Sequence, residues 1–389
     1  MTPDCIRILR VTEQAIMGGE QTDILYLLTG LDPARYEQVA CSAPDGPFVD
    51  EVRRLGIPHI PLTMRSKFDL QAVLRLRRII RAGRYDIVHL HGARAGLLGR
   101  IAARLAGAPL IIWTMHVFQP DVLQGWRRWQ VPLYLLVEAV LGRFFCDHII
   151  AISDDMRQRA QRLQRIPPRK ITTIYSGVDL APFVHPADRV GVRREFELPA
   201  DAPLVCTVGR LCEQKGVDDF LHAAAIVHQQ MPEVRFLVVG DGPLHSELET
   251  LAARLGLDSC LTFAGHRSDV AALLFASDVF ATATLWEGFG KVNVEAMAAG
   301  LPLVSTNVGP IPEVIGDYRG AILSPPRDPI AFAEALLAIL RDLPSYARWG
   351  QEGRQRAFAL FGREAMVQRA AELYERLIAR RWPARAVGG

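Results

Sequence analysis

Short β-branched runs alternate with amphipathic helical stretches almost from one end of this 389-residue chain to the other, and the alternation restarts once. Runs at 6–11, 39–43, 86–91, 110–116, 148–153 and 170–174 read as buried strands, with helical periodicity at 69–82 and 95–105 between them. The rhythm begins again at 203–210 and continues through 235–240, 260–264, 278–283 and 301–306. Parallel neighbours in a sheet need a crossover, usually a helix, so each series predicts an α/β domain with a doubly wound parallel sheet. Length agrees, because 389 residues exceed what one hydrophobic core organises. Between the series, 179–203 holds prolines 182, 186, 199 and 203 and no clear periodicity, which predicts a hinge there. The predicted domains are 1–182 and 183–362, with a last helical pattern over 363–380.

The run with the most chemistry is Glu287-Gly288-Phe289-Gly290-Lys291-Val292-Asn293-Val294-Glu295. Two carboxylates flank a Gly-x-Gly turn that opens an apolar helix. Glycines let backbone N–H groups approach a phosphate or a sugar hydroxyl closely, and a helix N-terminus adds positive dipole at the same point. A carboxylate does not serve a phosphate but accepts hydrogen bonds from hydroxyls, so the ligand expected here carries phosphate and sugar together. The loop Gly209-Arg210-Leu211-Cys212-Glu213-Gln214-Lys215-Gly216 follows a predicted strand and presents two cations. Arginine forks onto phosphate oxygens and lysine acts as a point charge, which suits a diphosphate. Another strand ends in Gly240-Asp241-Gly242-Pro243, a tight turn. Near the N-terminus, 6–11 leads into Gly18-Gly19-Glu20 and a helix, where open α/β sheets place ligands. The Gly-x-Gly-x-x-Gly pattern of a dinucleotide site is missing there, which counts against an oxidoreductase.

Composition narrows the classes. Half of the residues are apolar and 22% are charged, as in well-packed soluble proteins. Cysteines 5, 41, 146, 206, 212 and 260 show no metal-ligand spacing and read as reduced thiols of a cytosolic enzyme. No signal-peptide pattern opens the sequence, and 131–141 is too short to span a bilayer. Residues 1–180 carry a balance of +7 and the remainder −4. Arg75, Arg77, Arg78, Arg81 and Arg84, with Arg65 and Lys67 before them, favour an anionic surface or acceptor. The segment from Trp126 to Tyr134 adds interfacial aromatics beside cations, which predicts peripheral attachment to an anionic membrane. No nucleic-acid module accompanies the charge, so no nucleic-acid partner is expected. His89 and His91 share one face of a strand and, with His116, invite comparison with a zinc triad, but no carboxylate or thiolate stands at suitable spacing. There is no Asp-x-Asp to hold a divalent metal on a diphosphate. No metal and no cofactor are expected, and the reaction is predicted to be metal-independent.

In their order and spacing these pieces resemble the retaining GT-B glycosyltransferases of family four (glycosyl transferases group one). The resemblance rests on Gly18-Gly19-Glu20, His89-Leu90-His91, Thr114-Met115-His116, Ala151-Ile152-Ser153, Gly177-Val178-Asp179, Gly209-Arg210, Lys215-Gly216, Gly240 to Pro243, Glu287 to Glu295 and Ile311-Pro312-Glu313. It implies two Rossmann-like domains facing across a cleft, the donor held by the second, the acceptor mainly by the first, and the last helix, within 363–389, returning to the first. Arg210 and Lys215 would hold the donor diphosphate and stabilise it as it leaves. Glu295 would accept hydrogen bonds from the ribose and Glu287 from the transferred sugar. Backbone N–H groups around Gly288, Phe289, Gly290 and Lys291 would face the sugar and β-phosphate. Gly209 and Gly240 belong to the donor loops, while Gly18 and Gly19 would approach the diphosphate. His116 would sit by the sugar, and His266 and Arg267 would border the nucleobase. The chain departs from the family in Ser176 before Gly177, in Pro310 before Ile311, and in Lys291 at an often apolar position.

The resemblance therefore implies retaining transfer of a hexose-type unit from a nucleoside diphosphate sugar, a UDP-sugar by expectation, to a glycan or lipid-linked acceptor. The expected setting is polysaccharide, lipopolysaccharide or glycolipid assembly at the cytoplasmic face of the membrane. Alternatives are another GT-B enzyme, such as a sugar-nucleotide epimerase or phosphorylase, and a non-catalytic sugar-nucleotide-binding regulator.

Overall fold

A computed structural model describes residues 5–117 and 130–383. Trp126 to Trp129, the front of the aromatic and basic segment, lie outside the described residues. The chain forms two compact units, Met1–Gly177 with Arg363–Gly389, and Val178–Gly362.

The first unit holds β1 (Ile6–Val11), β2 (Tyr36–Ser42), β3 (His59–Pro61), β4 (Ile87–His91), β5 (Leu110–Met115), β6 (His148–Ala151) and β7 (Ile171–Thr173), all parallel, in the order β3-β2-β1-β4-β5-β6-β7. β4 and β5 are buried along their whole length, including the polar His89, His91 and Thr114. β3 escapes the sequence reading because it is a three-residue edge strand that ends in proline and stays partly exposed. The order reverses between β1 and β4. In an open parallel sheet this is where the loops diverge and leave a crevice for a ligand.

The second unit holds β8 (Leu204–Val208), β9 (Arg235–Val239), β10 (Leu261–Gly265), β11 (Val279–Thr282), β12 (Leu303–Thr306) and β13 (Ala321–Ser324), again parallel, in the order β10-β9-β8-β11-β12-β13. Its switch point lies between β8 and β11. Helix Val217–Gln230 packs Phe220, Leu221 and Val227 against Phe236 and Val238 of the sheet.

Helix Arg363–Arg381 belongs to the first unit, as the resemblance implies. Its stripe of Met366, Val367, Ala370, Leu373, Tyr374 and Leu377 shares a core with Ile6, Ile8, Ile87 and Ile112. Arg35 Nη2 pairs with Glu375 at 2.8 Å and fixes its outer edge. Ser153 caps helix Asp154–Leu163 by accepting from Met156 N at 3.1 Å, the role its sequence context suggests.

The segment 179–203 falls within the second unit rather than between the two. It carries the helix Arg189–Glu195, whose Arg193 is buried, donating to Ala276 O at 3.1 Å and pairing with Asp278 at 2.9 Å, while Arg189 pairs with the same carboxylate at 2.7 Å. These contacts dock the segment firmly on the second unit, and the chain passes between units at Gly177–Val178 and Gly362–Arg363. Prolines here shape a docked connection, and the buried arginine that anchors it gives no periodic signal.

Candidate functional site

In the second unit two loops leave the sheet side by side, one from β8 and one from β11. Gln214 ties them: its carbonyl accepts from Leu285 N at 2.8 Å and from Thr284 Oγ1 at 2.9 Å, and its amide donates to Trp286 O at 2.9 Å. This lacing brings the Lys215 ammonium onto the Glu287 carboxylate as a direct ion pair, both side chains largely withdrawn from solvent. The Lys215 stem lies along Gly209, where an added Cβ would meet its carbons at 3.4 Å. Arg210, next in the loop, stays exposed.

The β9 turn closes the other side. Gly209 N donates to Val239 O at 2.9 Å and Leu211 N to Asp241 O at 3.0 Å. Gly240, at φ +132°, packs its Cα directly on the Gly209 carbonyl, so any side chain there would collide with backbone. Gly290, at φ +88°, precedes helix Lys291–Ala298, and an added Cβ would come 2.5 Å from Ile311. Phe289 turns its ring inward against Phe361, with centroids 5.5 Å apart, and so pins the turn to the core. Glu295 projects from the next turn of that helix. Burial pushes its carboxyl up to about 7, against the opposing pull of Lys291 and Lys215. Lys215 therefore stands electrostatically between the two glutamates, bonded to one and felt by the other.

His266 is exposed beyond β10. Arg267, the residue expected beside the base, is anchored within its own unit. Its guanidinium pairs with Asp269 at 2.7 Å and with Glu195, and lies 5.4 Å from the Phe196 ring centroid. Three partners from the unit's own fold occupy it, which makes it a brace between this loop and helix Arg189–Glu195.

Gly18, Gly19 and His116 belong to the first unit. Gly18 and Gly19 are exposed at the start of helix Gly19–Gly30. His116 is buried after β5, its Nε2 3.3 Å from His91 Nδ1 and its Nδ1 3.8 Å from Asp23. Asp23 accepts from Ser176 Oγ at 2.5 Å and from Gly177 N at 3.2 Å. Ser176, one of the departures from the family pattern, thus has a hydrogen-bonding role. His89 accepts at Nδ1 from Arg10 at 2.9 Å, so its proton sits on Nε2, which donates to Thr114 at 2.7 Å. Tyr374 OH also reaches His89 Nδ1, at 2.7 Å. Burial holds both His89 and His91 well below the usual histidine range. The three imidazoles follow one another in a row, tilted by 38° and 31°, with centroids 4.1 Å and 5.6 Å apart, and among the described residues no group of three or more histidine, cysteine or acidic side chains is arranged to hold a metal.

Sequence reasoning singled out Glu20 only as part of a motif and missed Glu13. Glu13 accepts from Ala95 N at 2.9 Å, Glu20 from Thr12 at 2.5 Å, and both carboxylates lie against Gly92 at the start of helix Ala93–Ala106. Burial and the charge of Glu13 push Glu20 up to about 8. Only the fold reveals their convergence, since Gly92 lies far along the chain.

The family follows from matches across both units. Residues 190–356 match the family described as Glycosyl transferases group 1, and residues 17–182 match Glycosyltransferase Family 4. The chain belongs to glycosyltransferase family 4. The transferase is 28% identical over 346 residues to UDP-Gal:alpha-D-GlcNAc-diphosphoundecaprenol alpha-1,3-galactosyltransferase of Escherichia coli, covering 87% of this chain and 88% of that one. It is 30% identical over 356 residues to D-inositol 3-phosphate glycosyltransferase 2 of Catenulispora acidiphila, covering 85% and 83%. Its fold is GT-B, shared with Anabaena HepE, solved with UDP and glucose, at a TM-score of 0.81 and 23% identity over 95% of this chain and 99% of that one. It is a glycosyltransferase that acts on nucleotide sugars.

Proposed function

We propose that this transferase moves a hexose-type sugar from a UDP-sugar to a hydroxyl of a lipid-linked glycan acceptor, with retention at the anomeric carbon and without a metal, at the cytoplasmic face of the membrane. The Lys215–Glu287 ion pair beside Glu295 carries the reading, because it places a cation between two hydroxyl acceptors at a parallel-sheet switch point. An incoming diphosphate competes for Lys215. As its ammonium turns to the phosphate, Glu287 is released to accept hydroxyls of the transferred sugar. Arg210, exposed in the same loop, supplies a second cation, and the two stabilise charge on the leaving diphosphate. Glu295 accepts from the ribose, a role that requires it ionised. Backbone N–H groups of the turn around Gly288 and Gly290, at the N-terminus of helix Lys291–Ala298, face the sugar and β-phosphate.

In the first unit, Gly18 and Gly19 leave room for the donor, and His116 serves the sugar. Retention needs no protein nucleophile, since the leaving phosphate takes the acceptor proton on the face it departs from. The relative that uses UDP-galactose and a diphosphoundecaprenol acceptor, and the neighbour that binds UDP and glucose, support the choice of nucleotide and acceptor class. Attachment at the membrane is read as peripheral from the basic cluster Arg75 to Arg84; among the described residues no helix is long and apolar enough to cross one.

A panel of nucleotide sugars tests the reading. UDP release should rise for one UDP-sugar on adding a membrane lipid extract, survive EDTA, and yield a product whose anomeric configuration by NMR matches the donor. Inhibition by EDTA that magnesium reverses, or an inverted product, would sink the corresponding part.

A further inference from the structure

Helix Lys291–Ala298 carries a buried amide that the fold leaves unbonded. Asn293 is 1% exposed, and among the described residues neither its Nδ2 nor its Oδ1 has a hydrogen-bond partner. Its backbone is ordinary, since Asn293 N donates to Gly290 O at 3.0 Å. Buried amides in folded proteins are almost always bonded, so an unbonded one costs stability and calls for a role.

The usual structural duty is closed to it. Asn293 is the third residue of the helix, a position whose side chain commonly reaches back to the N–H of the capping residue. That arrangement goes with an extended cap. Gly290 is instead left-handed, at φ +88° and ψ 50°, and the Asn293 oxygen receives no such bond. The amide nonetheless faces that glycine. A Cβ built on Gly290 would lie 3.1 Å from Asn293 Nδ2 and 2.5 Å from Ile311 Cδ1, so the amide and Ile311 together wall the inner side of the turn.

The peptide joining Phe289 to Gly290 is a rigid plane with its N–H and C=O on opposite edges. Phe289 is pinned on one side by its ring against Phe361, and the helix begins on the other. Rotation of that one plane is the small motion open to the turn, and a glycine at 290 tolerates the change of dihedral angle. A rotation that sends the N–H outward to a phosphate sends the Phe289 carbonyl inward, toward the amide.

We propose that Asn293 is a positioning residue for the donor diphosphate: its Nδ2 donates to the Phe289 carbonyl when the Gly290 N–H turns to the β-phosphate. This rests on the reading of the turn as the β-phosphate seat and adds the group that holds the seat in its binding shape. The free protein carries the unbonded amide as a cost, and the bound protein uses it. Removing the amide should therefore move stability and diphosphate affinity in opposite directions, which a purely structural asparagine would not do.

Asn293→Leu replaces the amide with an apolar group of similar size. Its ligand-free melting temperature should rise, because two unbonded polar atoms leave the interior. Calorimetry should show UDP binding about tenfold weaker, the loss of one hydrogen bond of about 1.4 kcal/mol. UMP, which lacks the β-phosphate, should bind within about twofold of its wild-type affinity. If Asn293→Leu does not fold, Asn293→Ala carries the same nucleotide comparison. Equal losses of UDP and UMP affinity, or a lower melting temperature in Asn293→Leu, overturn the role. Wild type that binds UDP no better than UMP sinks the β-phosphate seat itself, whereas a wild-type preference for UDP that the variant keeps sinks the role of Asn293 alone.

Discussion

The two units share one architecture and use its polar edge in opposite ways. In the second unit, the loops beyond β8 and β11 present Arg210, Lys215, Glu287 and Glu295, and among the described residues Lys215 pairs with another member of the site. In the first unit, the corresponding edge turns its charges inward. Arg10 bonds His89 and Tyr374, Asp23 takes Ser176 and Gly177, and Glu13 caps a helix. Charges that the fold itself satisfies become structure, while charges satisfied only by each other remain available to a ligand that outcompetes them. Changes to these inward-turned charges of the first unit should therefore register as stability, and changes to the four donor-loop residues of the second as turnover and nucleotide binding.

The harshest test of that division is Arg100→Leu, which leaves Glu138 buried without its partner. The expected loss is about 3–5 kcal/mol of stability, read in denaturant melts, with most of it recovered in the double variant Arg100→Leu, Glu138→Leu. A mild effect would mean that the pair is far better hydrated than its burial implies.

Next in size, Lys215→Ala should lower turnover by about 100-fold to 1,000-fold, about 2.7–4 kcal/mol by comparison with loss of one preorganised donor. Its melting temperature should hardly move. Steady-state UDP release set beside a thermal melt checks both, and a destabilised but active variant would erase the contrast between the units.

Tyr374→Phe removes one oxygen from the Arg10–His89 network, where Arg10 Nη2 already has no hydrogen-bond partner among the described residues. About 1–3 kcal/mol should be lost, with UDP affinity unchanged in calorimetry. Coupled loss of UDP affinity would show that the first unit's interior reports to the donor site.

The smallest effects are in pH dependence, at one strongly raised carboxyl in each unit. Glu20, up to about 8 in the folded chain, is stabilising while protonated. Its contribution is complete below the ordinary carboxyl range and lost as pH rises through about 8. Melts across pH 5–9 should show a decline that Glu20→Gln flattens. Glu295, up to about 7, obeys the same sign for stability, but its ligand needs the ionised form. UDP-glucose affinity should rise with pH through about 7 in wild type and stay level in Glu295→Gln. A rise of equal size in both would move the ribose contact elsewhere.

Two parallel sheets, the donor loops and the last helix were legible in the sequence because each is written locally, while the return of that helix to the first unit came only with the family resemblance. Buried strands are runs of apolar residues, tight turns are glycines, and the 363–380 pattern repeats at helical spacing. The three-residue β3 and the docked segment 179–203 were not legible, for a short edge strand and an anchoring arginine leave no periodic trace. Which charges face a ligand was decided only by the tertiary structure. Arg267 is held by Asp269 and Glu195, and the second of these contacts comes from a residue 72 positions away that no local pattern announces. Lys215 and Glu287 lie 72 positions apart and meet because Gln214 laces their loops together. Helix Gln130–Phe144 reads as apolar either way. Its outward face was settled by Arg100, since a buried arginine needs a buried carboxylate and Glu138 could supply it only by turning the leucines outward. Hydrophobic pattern determines where chain folds, and charge pairing across long separations determines which surface is left to do the chemistry.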